Sequence, residues 1–181
     1  MSRPCDLDAV EARRLIGNRQ LSPVELTKSC IEQIEKLNPA VNAVVAINNE
    51  DVLKQAKKAE DDVMSGSELG LLHGLPVGIK DLNIVKNLRS TSGSKIYEKR
   101  IPENDDTVVE DIRNEGAIIF CKTNTPEFGA GGNTKNLVYG ATSNPFDITK
   151  TPAGSSGGSA VALACNMMPL ANGSDYGGSL R

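Results

Sequence analysis

The stretch Asp106-Thr107-Val108-Val109-Glu110-Asp111-Ile112-Arg113-Asn114-Glu115-Gly116-Ala117-Ile118-Ile119-Phe120-Cys121 decides the fold class. Val108, Val109 and Ile112 form an apolar stripe at helical spacing, which predicts a helix over Asp106–Asn114. Gly116 ends it. The run Ala117–Cys121 is apolar throughout, so it reads as a short strand buried on both faces. A helix, a glycine and a buried strand make half of an α/β unit, and the expected class is α/β with a mixed sheet flanked by helices.

Upstream, the chain is helical in character. Asp6 is the expected N-cap of a helix over Asp8–Ile16, with Gly17 as its stop. Ser22-Pro23-Val24-Glu25 offers a serine cap, a proline at the first helical position and a glutamate three residues on. Val24, Thr27, Ile31, Ile34 and Leu37 continue that helix, and Asn38-Pro39 should end it. Ala43–Ile47 reads as a short strand, and Asp51–Met64 as a helix stopped near Gly66. From Leu72 the pattern changes to Gly74-Leu75-Pro76-Val77-Gly78-Ile79-Lys80-Asp81, a β-prone run punctuated by glycines. Thr125-Pro126-Glu127 opens a helical turn.

Downstream, two loops stand apart: Gly154-Ser155-Ser156-Gly157-Gly158-Ser159 and Gly173-Ser174-Asp175-Tyr176-Gly177-Gly178-Ser179. Three readings compete for them. Gly/Ser composition suits a flexible linker, yet the first loop runs straight into the helix former Ala160–Ala164. Backbone N–H groups at a helix start could cradle a phosphate, but neither nucleotide-binding glycine motif is present. The third reading is a serine hydrolase, with glycines freeing N–H groups for an oxyanion. Gly154–Gly158 formally matches the G-x-S-x-G elbow, but Pro152 precludes a strand before it and no histidine follows.

The chain has a single histidine, His73, which excludes histidine-rich metal sites. A serine nucleophile without histidine needs another base, and a lysine desolvated by burial can serve. Lys80 closes an apolar run and is the candidate; the plainer alternative pairs it with Asp81 or another acid at the strand end. For Ser143, Ser159 and Ser174 the expectation is turn or cap chemistry.

Composition narrows the classes further. The 181 residues carry a net charge of −3 and only 3% aromatics, which argues against nucleic-acid binding. No apolar run approaches the ~20 residues of a membrane span. No export signal is seen at Met1–Val10, so the expected compartment is the cytoplasm. Cys5, Cys30, Cys121 and Cys165 lack metal or redox spacing and read as reduced, mostly buried thiols.

Several motifs in order resemble the amidase signature family of Ser–Ser–Lys hydrolases. They are Gly74–Asp81, Lys122-Thr123-Asn124-Thr125-Pro126-Glu127-Phe128-Gly129, Asn144-Pro145-Phe146-Asp147, Pro152–Ser159 and Gly173–Arg181. The resemblance implies Ser179 as nucleophile, Ser155 as a bridging serine after a cis-like peptide bond, and Lys80 as base. The two serines lie 24 residues apart, in keeping with the family pattern. It further implies an oxyanion hole of the backbone N–H groups of Tyr176, Gly177, Gly178 and Ser179, with Ser156 in support. Tyr176 stands where Thr, Leu or Ile is commoner, and its side chain is free to shape the pocket. Ala153 replaces the usual glycine.

The activity so implied is hydrolysis of linear carboxamides, with a small-molecule amide as partner and no cofactor or metal. A homodimer of the complete protein stays open. The family also includes glutaminase subunits that pass ammonia to a partner on charged tRNA. Thr125–Gly129 looks more like the stand-alone amidases than those subunits, which tend towards Met-Asp-Glu-Phe-Ala. Family members continue beyond the nucleophile motif, so residues 1–181 are expected to be the N-terminal portion of one domain. Within it, 1–70 would be a helical region and 71–181 the start of the catalytic core. The alternative from a different class is an inactive fragment with an exposed sheet edge.

Overall fold

The computed structural model describes residues 3–181. Three helices come first: α1 (Ala9–Gly17), α2 (Pro23–Val41) and, after strand β1 (Val44–Ala46), α3 (Asn49–Ser65). Then follow β2 (Pro76–Lys80), α4 (Thr107–Asn114) and β3 (Ile118–Thr123). A small hairpin, β4 (Lys135–Asn136) and β5 (Gly140–Ala141), precedes α5 (Gly157–Ala164) and β6 (Leu170–Ala171). The main sheet runs β1-β3-β2-β6; β2 is parallel to both β3 and β6, while β1 is antiparallel to β3. The sheet is therefore mixed, as the sequence suggested.

The expected helix–glycine–strand unit is present, with the strand moved one residue later and lengthened to Thr123. All six of its residues are buried. Val77, Ile79, Val109 and Ile119 pack between the sheet and α4. The larger core lies on the opposite face, where Ile16, Leu26, Val52, Phe120 and Val161 bring α1, α2, α3 and α5 together. The two core faces fix which way each strand residue points. Ile79, on the α4 side, is in register with Lys122, and Lys80, on the α5 side, with Thr123.

The Ser22 box forms as read: Ser22 Oγ accepts from the N–H groups of Val24 (3.0 Å) and Glu25 (3.3 Å). Three local expectations are corrected. Asp8, not Asp6, caps α1 by accepting from Glu11 N–H at 2.8 Å; Asp6 sits in a preceding turn and pairs with Arg3. Gly17 stays helical, and the left-handed residue that ends α1 is Arg19, after which Gln20 N–H reaches back to Leu15 O. Asn38-Pro39 does not end α2, which runs on to Val41. Pro39 lies in the last turn and removes a single ladder bond there. Asn38 stabilises the exit by accepting from Ala43 and Val44 N–H at 2.8 and 2.9 Å.

The first Gly/Ser loop is no linker, because Gly157, Gly158 and Ser159 form the first turn of α5. Glycine costs about 1 kcal/mol against alanine in a helix, and packing explains its use. A Cβ on Gly158 would run into the backbone of Asn124. The helix is thereby seated directly on the chain leaving β3, and that contact sets where Ser155 and Ser156 stand.

Candidate active site

Lys80 is the last residue of β2, and its side chain has no solvent exposure. Its Nζ donates to three hydroxyls: Ser155 Oγ at 2.7 Å, Ser174 Oγ at 2.8 Å and Ser156 Oγ at 2.9 Å. Three acceptors match the three N–H bonds of an ammonium group. Burial lowers the Lys80 pKa to about 8, while the charge of Asp175 acts in the opposite direction. Asp81 is not its partner. That carboxylate meets Lys122 Nζ at 3.0 Å, with both side chains fully buried, and also accepts from Thr91 Oγ1 at 2.6 Å. Lys122 itself donates further to Asn83 O and to Ser90 Oγ.

Ser155 and Ser156 immediately precede α5, and the Gly154–Ser155 peptide bond is cis. Ser179 arrives from the second loop. Its Oγ accepts from Ser156 N–H at 2.8 Å and lies 3.2 Å from Ser155 Oγ and 2.6 Å from Ser156 Oγ. Lys80, Ser155, Ser156 and Ser179, spread over a hundred residues of sequence, thus form one continuous hydrogen-bonded cluster. Two hydroxyl routes join the amine to Ser179, one through each member of the Ser-Ser pair. Beside Ser179 opens a cleft of about 380 Å³, lined by Ala153, Gly154, Leu163 and Leu180 among others. Hollows of about 520 and 540 Å³ lie elsewhere, along α2 and α3 and beside His73. Neither is lined by Lys80, Ser155, Ser156 or Ser179.

The second loop folds around its own carboxylate. Asp175 accepts from Gly178 N–H at 2.6 Å and Leu180 N–H at 3.2 Å, and pairs with Arg181 at 2.9 Å. Those bonds, the one from Arg181 foremost, hold its pKa at about 2. Gly178 N–H therefore faces Asp175 in this arrangement. The Tyr176 side chain is fully exposed and lines no part of the cleft, contrary to the pocket-shaping expectation.

Ser174 was missed. Its hydroxyl, expected to serve only the turn, is one of three contacts to the Lys80 amine. A serine after a loop glycine looks the same whether it caps or faces a site, so the residue pattern held no signal. Ser159 does fit structural chemistry, bonding Thr123 Oγ1 at 2.6 Å and Asn172 O at 2.8 Å. His73 is used structurally too, its Nε2 lying 2.9 Å from Ala59 O. All four cysteines are free thiols, and burial raises the pKa values of Cys30, Cys121 and Cys165. Among the described residues no group of three His, Cys, Asp or Glu side chains could hold a metal ion. No helix there is long and apolar enough to cross a membrane.

The family described as Amidase matches residues 25–181. The chain belongs to that family. A curated relative, the A subunit of glutamyl-tRNA(Gln) amidotransferase from Clostridium botulinum, is 42% identical over 173 residues, covering 96% of this chain and 36% of the relative. A bacterial aryl acylamidase of the amidase signature enzymes superposes with a TM-score of 0.90 at 34% identity, covering 97% of this chain and 36% of the other. The peptide amidase of Stenotrophomonas maltophilia gives 0.85 at 30% identity, covering 92% and 35%. The chain thus spans about a third of the length of the relatives it matches.

Proposed function

We propose that the protein hydrolyses linear carboxamides through an acyl-enzyme on Ser179. The observation that carries this reading is the unbroken chain from Lys80 Nζ to Ser155 Oγ (2.7 Å) and on to Ser179 Oγ (3.2 Å). Neutral Lys80 takes the Ser155 proton, and Ser155 takes the Ser179 proton as its oxygen bonds to the amide carbon. The carbonyl π pair moves onto oxygen, where the backbone N–H groups of Tyr176, Gly177, Gly178 and Ser179 would stabilise the negative charge. Gly178 N–H must then exchange its Asp175 contact for the oxyanion. Collapse breaks the C–N bond, and the lysine proton returns through Ser155 to the leaving nitrogen. Water, deprotonated by the same relay, then releases the acid and restores Ser179. Ser156 supports this by holding Ser179 Oγ with its N–H at 2.8 Å. No step calls on a cofactor.

A fluorophosphonate probe followed by peptide mapping tests the assignment. Label should appear on Ser179 and vanish in Lys80→Ala. Label elsewhere, or amidase activity that survives Ser179→Ala, overturns it.

A second reading keeps the site and changes the acceptor. The amidotransferase relatives support ammonia supply to a tRNA-linked transamidation, with glutamine as the amide and a second protein bound. Glutamine hydrolysis raised strongly by such a partner would establish it; equal turnover of unrelated amides without one would remove it. The local sequence Thr125–Gly129 favours the stand-alone amidase.

A further inference from the structure

Three chain segments deliver the cluster: the end of β2 with Lys80, the start of α5 with the Ser-Ser pair, and the second loop with Ser174 and Ser179. One half-buried residue touches all three. Asn172, directly after β6, accepts from Lys80 N–H through Oδ1 at 2.6 Å. Its own N–H donates to Gly78 O at 2.9 Å, extending the β2–β6 ladder. Its carbonyl accepts from Ser159 Oγ of α5 at 2.8 Å. It also lies two residues before Ser174, so its placement sets where the second loop begins.

The amide orientation is determined by its neighbours. Asp106 Oδ2 is an acceptor, taking Ile84 N–H at 2.9 Å and the Asn83 Nδ2 at 3.1 Å. Asn83 Oδ1 therefore faces Asn172, which must present Nδ2 to it, at 3.0 Å. That leaves Oδ1 of Asn172 for Lys80 N–H. The order passes from the N-terminus of α4, through the loop after β2, to the backbone of Lys80.

We propose that Asn172 is a positioning residue that sets the Lys80 amine against the serine hydroxyls. This rests on Lys80 acting as the base in the reading above. A lysine amine hangs on four rotatable carbons, and its backbone anchor decides whether it meets Ser155 and Ser174 together. Misplacing a reacting group by about 1 Å costs roughly a hundredfold in rate. The charges near Lys80 are few. Asp81 and Lys122 pair on the α4 face, Asp106 bonds Asn83 behind Asn172, Asp175 sits in the second loop with Arg181, and α5 and β6 carry none.

The test uses the full-length protein, with kcat expressed per Ser179 titrated by the fluorophosphonate carried to completion, so that slower labelling does not lower the count. Asn172→Leu should lower that kcat about 10- to 100-fold with KM changed less than threefold. Loss of fold alone would lower the number of titratable sites and leave the rate per site intact. Asn172→Asp keeps an acceptor for Lys80 N–H, gives up the donor to Asn83 Oδ1 and adds a negative charge. Its acidic pH limb should move up by about one unit, with kcat regained above it. An unchanged rate per site in the leucine variant, or an unmoved limb in the aspartate variant, overturns the proposal. Full activity in Lys80→Ala would instead overturn the reading on which it rests.

Discussion

Replacing Lys80 by methionine separates the energetics of the site from its chemistry. Methionine keeps the length and apolar stem but carries no charge. Lys80 is fully buried and its pKa falls from 10.5 to about 8. At about 1.4 kcal/mol per pKa unit, that gap corresponds to about 3 kcal/mol. The sign follows from linkage: between about pH 8 and 10.5 the unfolded chain binds more protons at this site than the folded one, so stability rises with pH there. Below about pH 8 the full penalty for burying the ammonium applies. Lys80→Met escapes it at every pH. We expect the difference in unfolding free energy, methionine variant minus wild type, to fall by about 3 kcal/mol between pH 7 and 10.5. Urea unfolding of both proteins at pH 7, 9 and 10.5 in reductant measures it. Other buried groups are shifted as well, the Cys30 and Cys121 thiols upwards and Lys122 downwards, each chiefly by desolvation. They are common to both proteins and cancel in the difference. A difference constant to within about 0.5 kcal/mol would refute a depressed Lys80.

The same depression predicts an acidic limb in activity: kcat/KM should rise about tenfold per pH unit below pH 7 and level off above about 8. A profile flat from pH 6 to 9 would count against Lys80 as base. Lys122→Met leaves Asp81 buried without its cation and should cost about 3–5 kcal/mol by denaturant unfolding. Adding Asp81→Leu should recover most of that loss, whereas a cost below about 1 kcal/mol would mean that the pair is not buried as described. Gly158→Ala should lower stability by about 1–3 kcal/mol despite alanine's helix preference, because its Cβ meets Asn124. A raised melting temperature would sink that packing account.

Where one physical effect decided the local structure, the sequence was a sufficient guide. Ser22-Pro23-Val24-Glu25 carries its own capping bonds, so that helix start needed no tertiary knowledge. Ala117–Cys121 is apolar throughout and read as an interior strand, and the strand that forms, Ile118–Thr123, is buried along its whole length. The misreadings have tertiary causes. Pro39 is tolerated because Asn38 bonds the first residues beyond the helix. Gly157–Ser159 became helix because α5 must sit close to Asn124. At the site, Lys80, Ser155, Ser156 and Ser179 were legible through motifs and are brought together in space. The roles assigned to them remain the proposal made above. Ser174 and Asn172 were silent, since polar residues flanking a loop glycine bear no mark of what they face once folded.

The site is built almost wholly from hydroxyl groups, and each can give or receive a hydrogen bond by turning about one carbon–oxygen bond. A catalytic imidazole assigns donor and acceptor to separate ring atoms, so its two tasks have separate addresses. Here one oxygen holds both. Every link from Lys80 to Ser179 can be traversed in either direction while the heavy atoms stay where they are. Taking up a proton and handing it back then differ only in how a few hydrogens are rotated. On the mechanism proposed above, the proton circuit would run in both directions by hydroxyl rotation alone, and the one rearrangement left to the backbone would be Gly178 N–H turning from Asp175 to the oxyanion.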